Sequence, residues 1–353
     1  MKPPALLEPT PRANEKVLRS PIDVFGRGLK DLRLSVIDRC NLRCQYCMPS
    51  ELFGPDFRFL PESQLMSFDE IERLVSSFLE VGVEKIRITG GEPLLRPRLP
   101  ELVARIRSLS ADCDLALTTN GIRLARIAHE LAKAGLNRVN LSLDAIDSEI
   151  GKKMAGRAID FSTSLNGIVA AREAGLGIKL NAVIKRGINE CQILPLAQFA
   201  REQNINLRFI EYMDVGETNG WDKTDVVTGA EVLAILKKHY PLTQNKPRQG
   251  SEIAATFQYL DADCAVGFIN SISQPFCGGC VRARVSAEGK LFTCLFGSDG
   301  YDLRPWLTKE FNKEQSLTHK ITKIWNERKD RHSELRDKQS EISKRQEMWT
   351  LGG

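Results

Sequence analysis

Three cysteines near the start of the chain have the spacing C-x3-C-x2-C, as Cys40, Cys44 and Cys47. No further cysteine or histidine lies near them in the sequence, whereas a closed structural zinc site takes four ligands. Three thiolates can hold a cubane iron–sulfur cluster and leave one iron open to a small molecule. We therefore predict that this group binds a [4Fe-4S] cluster with one open iron.

A second group, Cys277, Cys280 and Cys294, has the spacing C-x2-C-x13-C and predicts a second cluster of the same kind. A zinc ribbon with Cys264 as its fourth ligand is the alternative, although Cys264 lacks a C-x2-C partner of its own. The remaining cysteines are predicted to be small apolar fillers, namely Cys113, Cys191 and Cys264.

Two arginines, Arg282 and Arg284, directly follow the second C-x2-C pair. In a strand, residues two apart share a face, so both side chains point the same way. Planar guanidinium groups match the oxygens of a phosphate bidentately. The pair predicts a phosphate ligand beside the second cysteine group, with two solvated arginines on a surface strand as the alternative.

Strand-like and helix-like segments alternate through the first two-thirds of the chain. Their period of about 30 residues is typical of βα units and predicts an α/β fold with a parallel sheet or barrel. Six strand-like segments predict a partial (β/α)6 TIM-type barrel rather than the eight-stranded form. The strand-like segments are Asp31–Ile37, Glu84–Thr89, Asp114–Thr119, Asn137–Leu143, Gly177–Ile184 and Ile205–Tyr212. The helix-like segments are Phe68–Val81, Leu99–Leu109, Ile122–Ala134, Phe161–Ala174, Gln192–Gln203 and Val226–His239.

Four of these strands carry polar residues on one alternating face. A strand buried in an α/β core is normally apolar on both faces, and polar groups without partners are costly to bury. If the polar faces point into the barrel, its interior takes a polar, negatively charged guest; solvated strand edges are the alternative. The polar positions are Arg33 and Ser35, then Lys85, Arg87 and Thr89, then Asn140, Ser142 and Asp144, and finally Lys179 and Asn181.

The composition is globular, with 42% hydrophobic residues and a net charge of +5 from 50 basic and 45 acidic side chains. No apolar run approaches the roughly 20 residues of a membrane span, and we expect no signal peptide. Cysteines in tight groups indicate metal ligation in a reducing compartment, so we expect a cytoplasmic protein without membrane or nucleic-acid partners. We expect an N-terminal arm over residues 1–24, the barrel over 25–240, and a C-terminal domain over 241–353 that includes an exposed, charged helical extension at Lys309–Gln346.

The first cysteine group resembles that of the radical S-adenosylmethionine (SAM) enzymes, because it follows the first strand of a partial barrel. The sequence Thr89-Gly-Gly-Glu-Pro93 after the second strand resembles the SAM-binding motif of that superfamily, and its glycines let backbone approach a ligand closely. The resemblance implies that the open iron binds SAM and that an electron from the cluster releases a 5′-deoxyadenosyl radical. It implies as SAM-binding residues Tyr46, Gly90, Gly91, Glu92, Ser142 and Met213.

The two cysteine groups together indicate one family within this superfamily. A radical SAM barrel followed by C-x2-C-x-R-x-R and a third cysteine is similar to the GTP 3′,8-cyclases, the family that begins molybdenum cofactor biosynthesis. The resemblance covers about Phe25 to Cys294 and implies a C-terminal iron–sulfur domain that closes the barrel mouth. It extends to Gly352 and Gly353, which we expect to enter the site and support catalysis. The implied GTP ligands are Arg33, Arg87, Thr118, Lys179, Arg282 and Arg284, with Lys85 and Arg208 as further candidates in the channel between the clusters.

The resemblance also implies a reaction. The deoxyadenosyl radical removes the C3′ hydrogen of GTP, and C3′ attacks guanine C8 to give (8S)-3′,8-cyclo-7,8-dihydro-GTP, while the second cluster binds the guanine edge. An electron donor of the reductase or flavodoxin type and a downstream cyclic pterin-forming enzyme are implied as partners. The alternative functions are a peptide-maturing radical SAM enzyme with one auxiliary cluster and a zinc-ribbon binding protein. The residues leave open whether the protein is a monomer or a homodimer.

Overall fold

Six parallel strands form the centre of one sheet in the computed structural model, which describes residues 20–158, 160–245, 254–298, 300–307, 316–336 and 346–351. They are β1 (Asp31–Ser35), β2 (Lys85–Thr89), β3 (Asp114–Thr119), β4 (Arg138–Ser142), β5 (Gly177–Ile184) and β6 (Asn206–Glu211). Each strand pairs with the next in chain order, as βα units require. The six predicted strands are confirmed, with some ends one or two residues shorter.

Helices connect these strands and cover the outer face of the sheet. They are α1 (Phe68–Glu80), α2 (Leu99–Leu109), α3 (Ala128–Lys133), α4 (Ser148–Ala155), α5 (Phe161–Glu173), α6 (Ile193–Glu202) and α7 (Gly229–Lys237). At the start of α1, the Ser67 hydroxyl accepts the N–H of Glu70, and the Glu70 carboxylate accepts the N–H of Ser67. This capping box satisfies two N–H groups that the first turn leaves without helical partners.

The helix predicted over Ile122–Ala134 is wrong in its first half, where the chain forms a 3-10 turn at Leu124–Arg126 before α3 begins. Helix α5 packs closely on this turn. A Cβ atom at Gly167 would lie 3.0 Å from the carbonyl oxygen of Gly121 and 3.3 Å from the Cβ of Leu124. Close packing by a neighbouring helix therefore overrides the helical pattern of the sequence here.

The last third of the chain adds strands to both edges of the central sheet. These strands are β7 (Leu242–Gln244), β8 (Ala255–Tyr259), β9 (Ala265–Ile269), β10 (Arg282–Val285), β11 (Lys290–Phe292) and β12 (Tyr301–Asp302). Strand β9 pairs in parallel with β6, and β10 pairs in parallel with β1. The C-terminal region is thus built onto the partial barrel at both edges, and the predicted boundary at residue 240 stays a prediction.

Four further helices follow in the C-terminal region. They are α8 (Arg304–Leu307), α9 (Leu317–Asn326), α10 (His332–Leu335) and α11 (Met348–Leu351). Helix α9 packs on α1, with Ile321 and Trp325 almost completely buried. The prediction of an exposed extension at Lys309–Gln346 is therefore wrong for its described part, because one apolar face of α9 is covered.

Several predicted features lie outside the described residues. They are most of the N-terminal arm (residues 1–19), residues 309–315 and 337–345 of the charged segment, and the terminal Gly352 and Gly353. Within the residues that the structure does describe, no helix is long and apolar enough to cross a bilayer.

Candidate active site

A cavity at the carboxyl ends of the parallel strands brings together residues from both cysteine groups. Its wall contains most of the predicted site residues, namely Arg33, Cys40, Cys44, Tyr46, Cys47, Arg87, Gly90, Gly91, Glu92, Thr118, Ser142, Arg208, Met213, Cys277, Cys280, Arg282, Arg284 and Cys294. Lys85 and Lys179 are not part of this wall. Both lie near the amino-terminal ends of their strands, and the Nζ of Lys85 is 3.7 Å from Oδ2 of Asp114. Their roles toward GTP stay predictions.

The first cysteine group lies on a loop that leaves β1. The carbonyl oxygen of Cys44 accepts hydrogen bonds from the N–H groups of Cys47 (3.0 Å) and Met48 (2.8 Å), which closes a turn around the group. The guanidinium of Arg43 donates to the carbonyl oxygens of Cys40 (2.9 Å), Leu42 (2.7 Å) and Phe53 (2.7 Å). This single side chain therefore fixes the backbone path of the loop.

The three thiols of this loop are buried close to one another. Burial raises the pKa of Cys40 to about 11, and burial together with the charge of its cysteine neighbours raises the pKa of Cys44 and of Cys47 above the ordinary thiol value. A cluster binds thiolates, and its iron supplies the positive charge that these thiols otherwise lack. Three soft donors from one short loop fit a cubane that keeps one iron open to a small molecule.

The glycines of the GGEP loop line the cavity and also pack directly against the backbone of the segment after β1. A Cβ atom at Gly90 would lie 2.3 Å from the carbonyl oxygen of Ile37, and one at Gly91 would lie 2.3 Å from that of Arg39. The N–H of Gly91 donates to Ile37 (2.8 Å), and that of Glu92 donates to Arg39 (2.8 Å). The glycines therefore let the loop after β2 pack on the segment that leads into the first cysteine group.

Glu92 is almost completely buried and connects the loops that follow β2 and β3. Its carboxylate accepts hydrogen bonds from the N–H of Leu94 (3.0 Å), the hydroxyl of Thr119 (2.7 Å) and the N–H of Asn120 (2.8 Å). The amide of Asn120 in turn donates to the side-chain oxygen of Asn41 (2.8 Å) in the cysteine loop. Burial raises the pKa of Glu92, although these three donors oppose the shift. Glu92 thus has a structural role in addition to the ligand contact predicted for it.

Strands β10, β1 and β2 place a row of arginines side by side. In the register of the sheet, Arg33 lies beside Arg284 on one neighbour and beside Arg87 on the other. All three side chains are buried. In the adjacent row Asp31 lies beside Arg282, and its carboxylate is 3.2 Å from Nε of Arg33 and 3.7 Å from Nε of Arg282. One carboxylate therefore faces several guanidinium groups.

The arginine row places several buried cations next to one another. Burial, together with the charge of neighbouring arginines, lowers the pKa of Arg87 to about 9 and that of Arg284 to about 10. Burial would raise the pKa of Asp31, but Arg33 and the other cations outweigh it and hold the value well below the ordinary range. The Nε atoms of Arg87 and Arg282 are buried without a hydrogen-bond partner. Buried donors of this kind call for an anionic ligand with several oxygens.

The second cysteine group lies at the ends of β10 and β11, with Cys277 and Cys280 before β10 and Cys294 after β11. The N–H of Cys280 donates to the carbonyl oxygen of Cys277 (3.2 Å), and Cys294 follows β11. Burial would raise the pKa of Cys280, but the charges of Arg328 and Arg282 outweigh it and lower the value, while burial raises the pKa of Cys294 to about 12. These three thiols line the same cavity as the first group.

The zinc-ribbon alternative is wrong, because Cys264, its fourth ligand, does not lie with the other three cysteines in the cavity wall. Cys264 lies in the hydrophobic core beside Tyr259, and its carbonyl oxygen accepts a hydrogen bond from the Gln258 amide (2.8 Å), away from the cavity wall. Across the described part of the chain, no three His, Cys, Asp or Glu side chains surround a single metal ion. The ligands of a cubane bind different irons and are further apart. Cys113 is buried as predicted, whereas Cys191 is exposed and is not a core filler.

Several residues of the cavity wall were missed or left without a role. Asp144 accepts the hydroxyl of Tyr46 (2.7 Å) and the N–H of Val183 (2.9 Å), and burial raises its pKa to about 6. The alternating polar face of the fourth strand was the signal for Asp144. Arg27 and Arg328 also line the cavity. Neither had a sequence signal, because each lies in a segment whose charges resemble those of a solvated surface.

Comparisons with known proteins agree with this geometry. A family model described as the Radical SAM superfamily matches residues 34–200, and one described as Molybdenum Cofactor Synthesis C matches residues 205–334. Among solved structures, Streptococcus suis SuiB bound to S-adenosylmethionine has a TM-score of 0.59 at 16% identity, over 83% of this chain and 68% of that chain. Fold and site therefore define a radical SAM enzyme, built as a partial TIM-type barrel with a C-terminal region.

The sequence relatives narrow the class. A GTP 3′,8-cyclase from Acidothermus cellulolyticus is 50% identical over 91% of this chain and 90% of its own length. GTP 3′,8-cyclases from Xanthomonas axonopodis pv. citri and Staphylococcus aureus are 46% and 43% identical, over 94% and 90% of this chain and 98% and 94% of their own lengths. The chain belongs to the GTP 3′,8-cyclase family. The predicted resemblance is confirmed, and the alternatives of a peptide-maturing enzyme and a zinc-ribbon protein are not supported.

Proposed function

We propose that this chain converts GTP to 3′,8-cyclo-7,8-dihydro-GTP in molybdenum cofactor biosynthesis, and that the cavity described above binds GTP and SAM together. One observation carries the proposal: a single cavity wall contains two three-thiol groups and a row of buried arginines. Two sites for redox clusters and a set of cations in one cavity suit a radical reaction on a nucleoside triphosphate.

Each thiol group would hold one [4Fe-4S] cluster, the first through Cys40, Cys44 and Cys47 and the second through Cys277, Cys280 and Cys294. When bound, the first cluster would supply the electron for reductive cleavage of SAM, which is the radical chemistry that hydrogen abstraction from C3′ of GTP needs. The chain itself contributes the two cysteine loops and the enclosed cavity, which keep water and oxygen from the reacting carbon.

The loops after β2 and β4 would position SAM. Gly90, Gly91 and Glu92 support the edge of the cavity next to the first cysteine group. Ser142 is the last residue of β4, and Met213 follows β6, which is separated from β4 by β5. Tyr46 is fixed by its hydrogen bond to Asp144 (2.7 Å), so its ring is preorganised within the cysteine loop. A ligand bound among these residues lies directly beside the first cysteine group, as electron transfer to it requires.

The arginine row would bind the triphosphate and so orient the nucleotide. Arg282 and Arg284 lie on the strand that directly follows Cys280, so one element positions both the second cysteine loop and two phosphate ligands. Arg33 and Arg87 continue the row, and Thr118 presents a buried hydroxyl without a hydrogen-bond partner. Cations that act on the phosphates hold C3′ in place without touching the reacting atoms.

Gly352 and Gly353 are proposed to enter the cavity, although both lie outside the described residues. The preceding helix α11 brings the chain to the cavity, because Met348 and Trp349 are part of its wall and Leu351 is buried. A chain that lacks only the two glycines is expected to lose cyclisation while it retains both clusters. Full activity of that variant would refute the role.

The proposed function is tested by anaerobic reconstitution with iron and sulfide, followed by incubation with SAM, GTP and a chemical reductant. We expect about eight irons per chain and formation of the cyclised nucleotide together with 5′-deoxyadenosine. Replacement of Cys277, Cys280 and Cys294 by serine should remove about half of the iron and abolish cyclisation. Colourless protein that binds zinc, or protein that leaves GTP unchanged, would contradict the proposal. The reductase- or flavodoxin-type donor and the pterin-forming enzyme stay predictions.

A further inference from the structure

Three charged side chains form a buried network behind the second cysteine group. Nε of Arg27 donates to Oδ2 of Asp23 (2.6 Å), and NH1 of Arg328 is 3.4 Å from the same oxygen. The side chains of Asp23, Arg27 and Arg328 are at most 2% exposed. Charges removed from water this completely are costly, so their retention points to a group that needs them.

The two guanidinium groups hold the backbone of the cysteine loop. NH1 of Arg27 donates to the carbonyl oxygen of Cys277 (2.7 Å), and NH1 of Arg328 donates to that of Cys280 (2.7 Å). Both cysteines of the C-x2-C pair are thus fixed by charge-assisted hydrogen bonds, which are stronger than bonds between neutral groups. Arg43 holds the carbonyl oxygen of Cys40 in the first loop in the same way.

A third contact connects the network to the remaining thiol. Asp330 lies 3.5 Å from Nε of Arg328, and its Oδ2 accepts the hydroxyl of Thr293, the residue directly before Cys294 (2.5 Å). The carbonyl oxygen of Asp330 also accepts a hydrogen bond from Arg27 (3.0 Å). Both segments that carry the three cysteines are therefore connected through these two arginines and Asp330.

Arg328 places a positive charge next to an anion at the loop. The carboxylates of Asp23 and Asp330 offset the two guanidinium groups of the network, but Arg328 donates directly to the backbone of Cys280, whereas Asp330 accepts a hydrogen bond from Thr293. A cubane with a 2+ core and three thiolates has a net charge of about −1, and about −2 after one-electron reduction. Positive charge next to it favours the reduced state, so it raises the reduction potential.

From these contacts we infer that Arg328, supported by Arg27 and Asp23, is a positioning residue for the second cluster. Arg328 holds the loop in its ligating shape and raises the reduction potential of the cluster. The inference rests on the proposed function in one respect, namely that the second cysteine group holds a cluster. The other contacts of Arg328, above all its packing 4.5 Å over the ring of Trp325, are the purely structural explanation against which it is tested.

The test uses the full chain with Cys40, Cys44 and Cys47 replaced by alanine, so that all remaining iron reports on the second group. In this background we compare Arg328→Met, which keeps the aliphatic stem and loses the charge, with Arg328→Lys, which keeps the charge and loses the fork. Arg107→Met is the matched control, because Arg107 also bonds to several carbonyl oxygens but contacts neither of the two three-cysteine groups. Readouts are iron loss to a chelator and the potential of the reduced cluster by electron paramagnetic resonance titration.

We expect Arg328→Met to release iron at least about tenfold faster, the change that corresponds to one charge-assisted hydrogen bond, and to shift the potential to a more negative value. Arg328→Lys should release iron faster but keep a potential near that of the parent, and Arg107→Met should change neither readout. Parent-like potential and iron release in Arg328→Met would overturn the inference. If Arg328→Met does not fold, Arg328→Lys decides the matter. A reduction potential of Arg328→Lys that is more negative than that of the parent overturns the charge argument. Iron release from Arg328→Lys at the parent rate overturns the positioning argument. Absence of iron from the parent itself would instead refute the proposed function.

Discussion

Asp31 lies beside the buried row formed by Arg33, Arg87 and Arg284. Its carboxylate is shared between Arg33 and Arg282. A guanidinium group that has lost its water needs oxygen acceptors, and a triphosphate supplies several in a short chain. At the scale of single residues, the site is therefore defined by unmet hydrogen-bonding capacity as much as by the thiols.

Arg282→Ala is predicted to lower kcat/KM for GTP by about 10- to 100-fold, because it removes one charge-assisted contact to the phosphates. The iron content should stay unchanged, since the cysteine loop retains Arg27 and Arg328. Steady-state kinetics under anaerobic conditions measure the effect. Arg201→Ala is the control, because Arg201 lies between Tyr240 and Tyr259 outside the cavity. Equal kinetics in both variants would remove Arg282 from the phosphate site.

Glu92→Gln is predicted to lower the free energy of unfolding by about 1–3 kcal/mol in the absence of SAM. A glutamine has one acceptor oxygen, so its amide group would face at least one of the three donors that Glu92 now accepts. Denaturant unfolding measures the loss, with the exposed Glu62→Gln as the matched control. If the two variants are equally stable, the role of Glu92 is confined to the ligand.

At the scale of elements, the loops after β1 and β2 act as one unit. The GGEP loop bonds to the backbone of Ile37 and Arg39, and Arg43 then fixes the cysteine loop a few residues later. The arginine row likewise depends on three strands whose order in the sheet, β10–β1–β2, differs from their order in the chain. Loop contacts and strand register together decide where the charged groups meet.

Gly91→Ala is predicted to destabilise the fold by about 1–3 kcal/mol and to weaken iron retention by the first cysteine group. The new methyl group would meet the carbonyl oxygen of Arg39 at 2.3 Å, so the two loops must separate. Gly54→Ala is the control, because its Cβ would lie 3.8 Å from the nearest atom, an ordinary contact. Thermal unfolding and iron analysis distinguish them, and a fully stable, iron-loaded Gly91→Ala protein would contradict the packing argument.

Much of this site could be predicted from the sequence, because its key residues are close together in the chain. Cysteines three or four residues apart and arginines two residues apart are close in any fold, and the βα period predicted that they lie on or next to the strands. Contacts between distant segments left no such pattern. The pairing of Arg27 with Cys277 spans 250 residues, and the buried face of α9 is interrupted by lysines and threonines that resemble a solvated surface. The register that aligns the arginines of β10, β1 and β2 could not be predicted either, because β10 is far from β1 in the sequence.

At the scale of the whole molecule, the barrel and the C-terminal strands together line the cavity with several positively charged arginines. Inorganic triphosphate alone is predicted to stabilise the protein, by about 2.7 kcal/mol at a concentration 100-fold above its Kd. The arginines are buried, so the effect should survive moderate salt better than binding to surface lysines would. Thermal shift measurements test this, and Arg282→Ala should respond less. An equal response in that variant would place the anion elsewhere.

The pairing of β1 with β10 also has a consequence for how the molecule is made. Strand β1 is the first strand to leave the ribosome, yet one of its edges has no neighbour until residues 282–285 have been synthesised. An open strand edge is prone to wrong pairing, and contacts between such distant segments form slowly. Nascent chains truncated before β10 therefore expose both an unpaired edge and an incomplete anion pocket, so the newborn polypeptide can bind a polyanion there only after β10 has been synthesised.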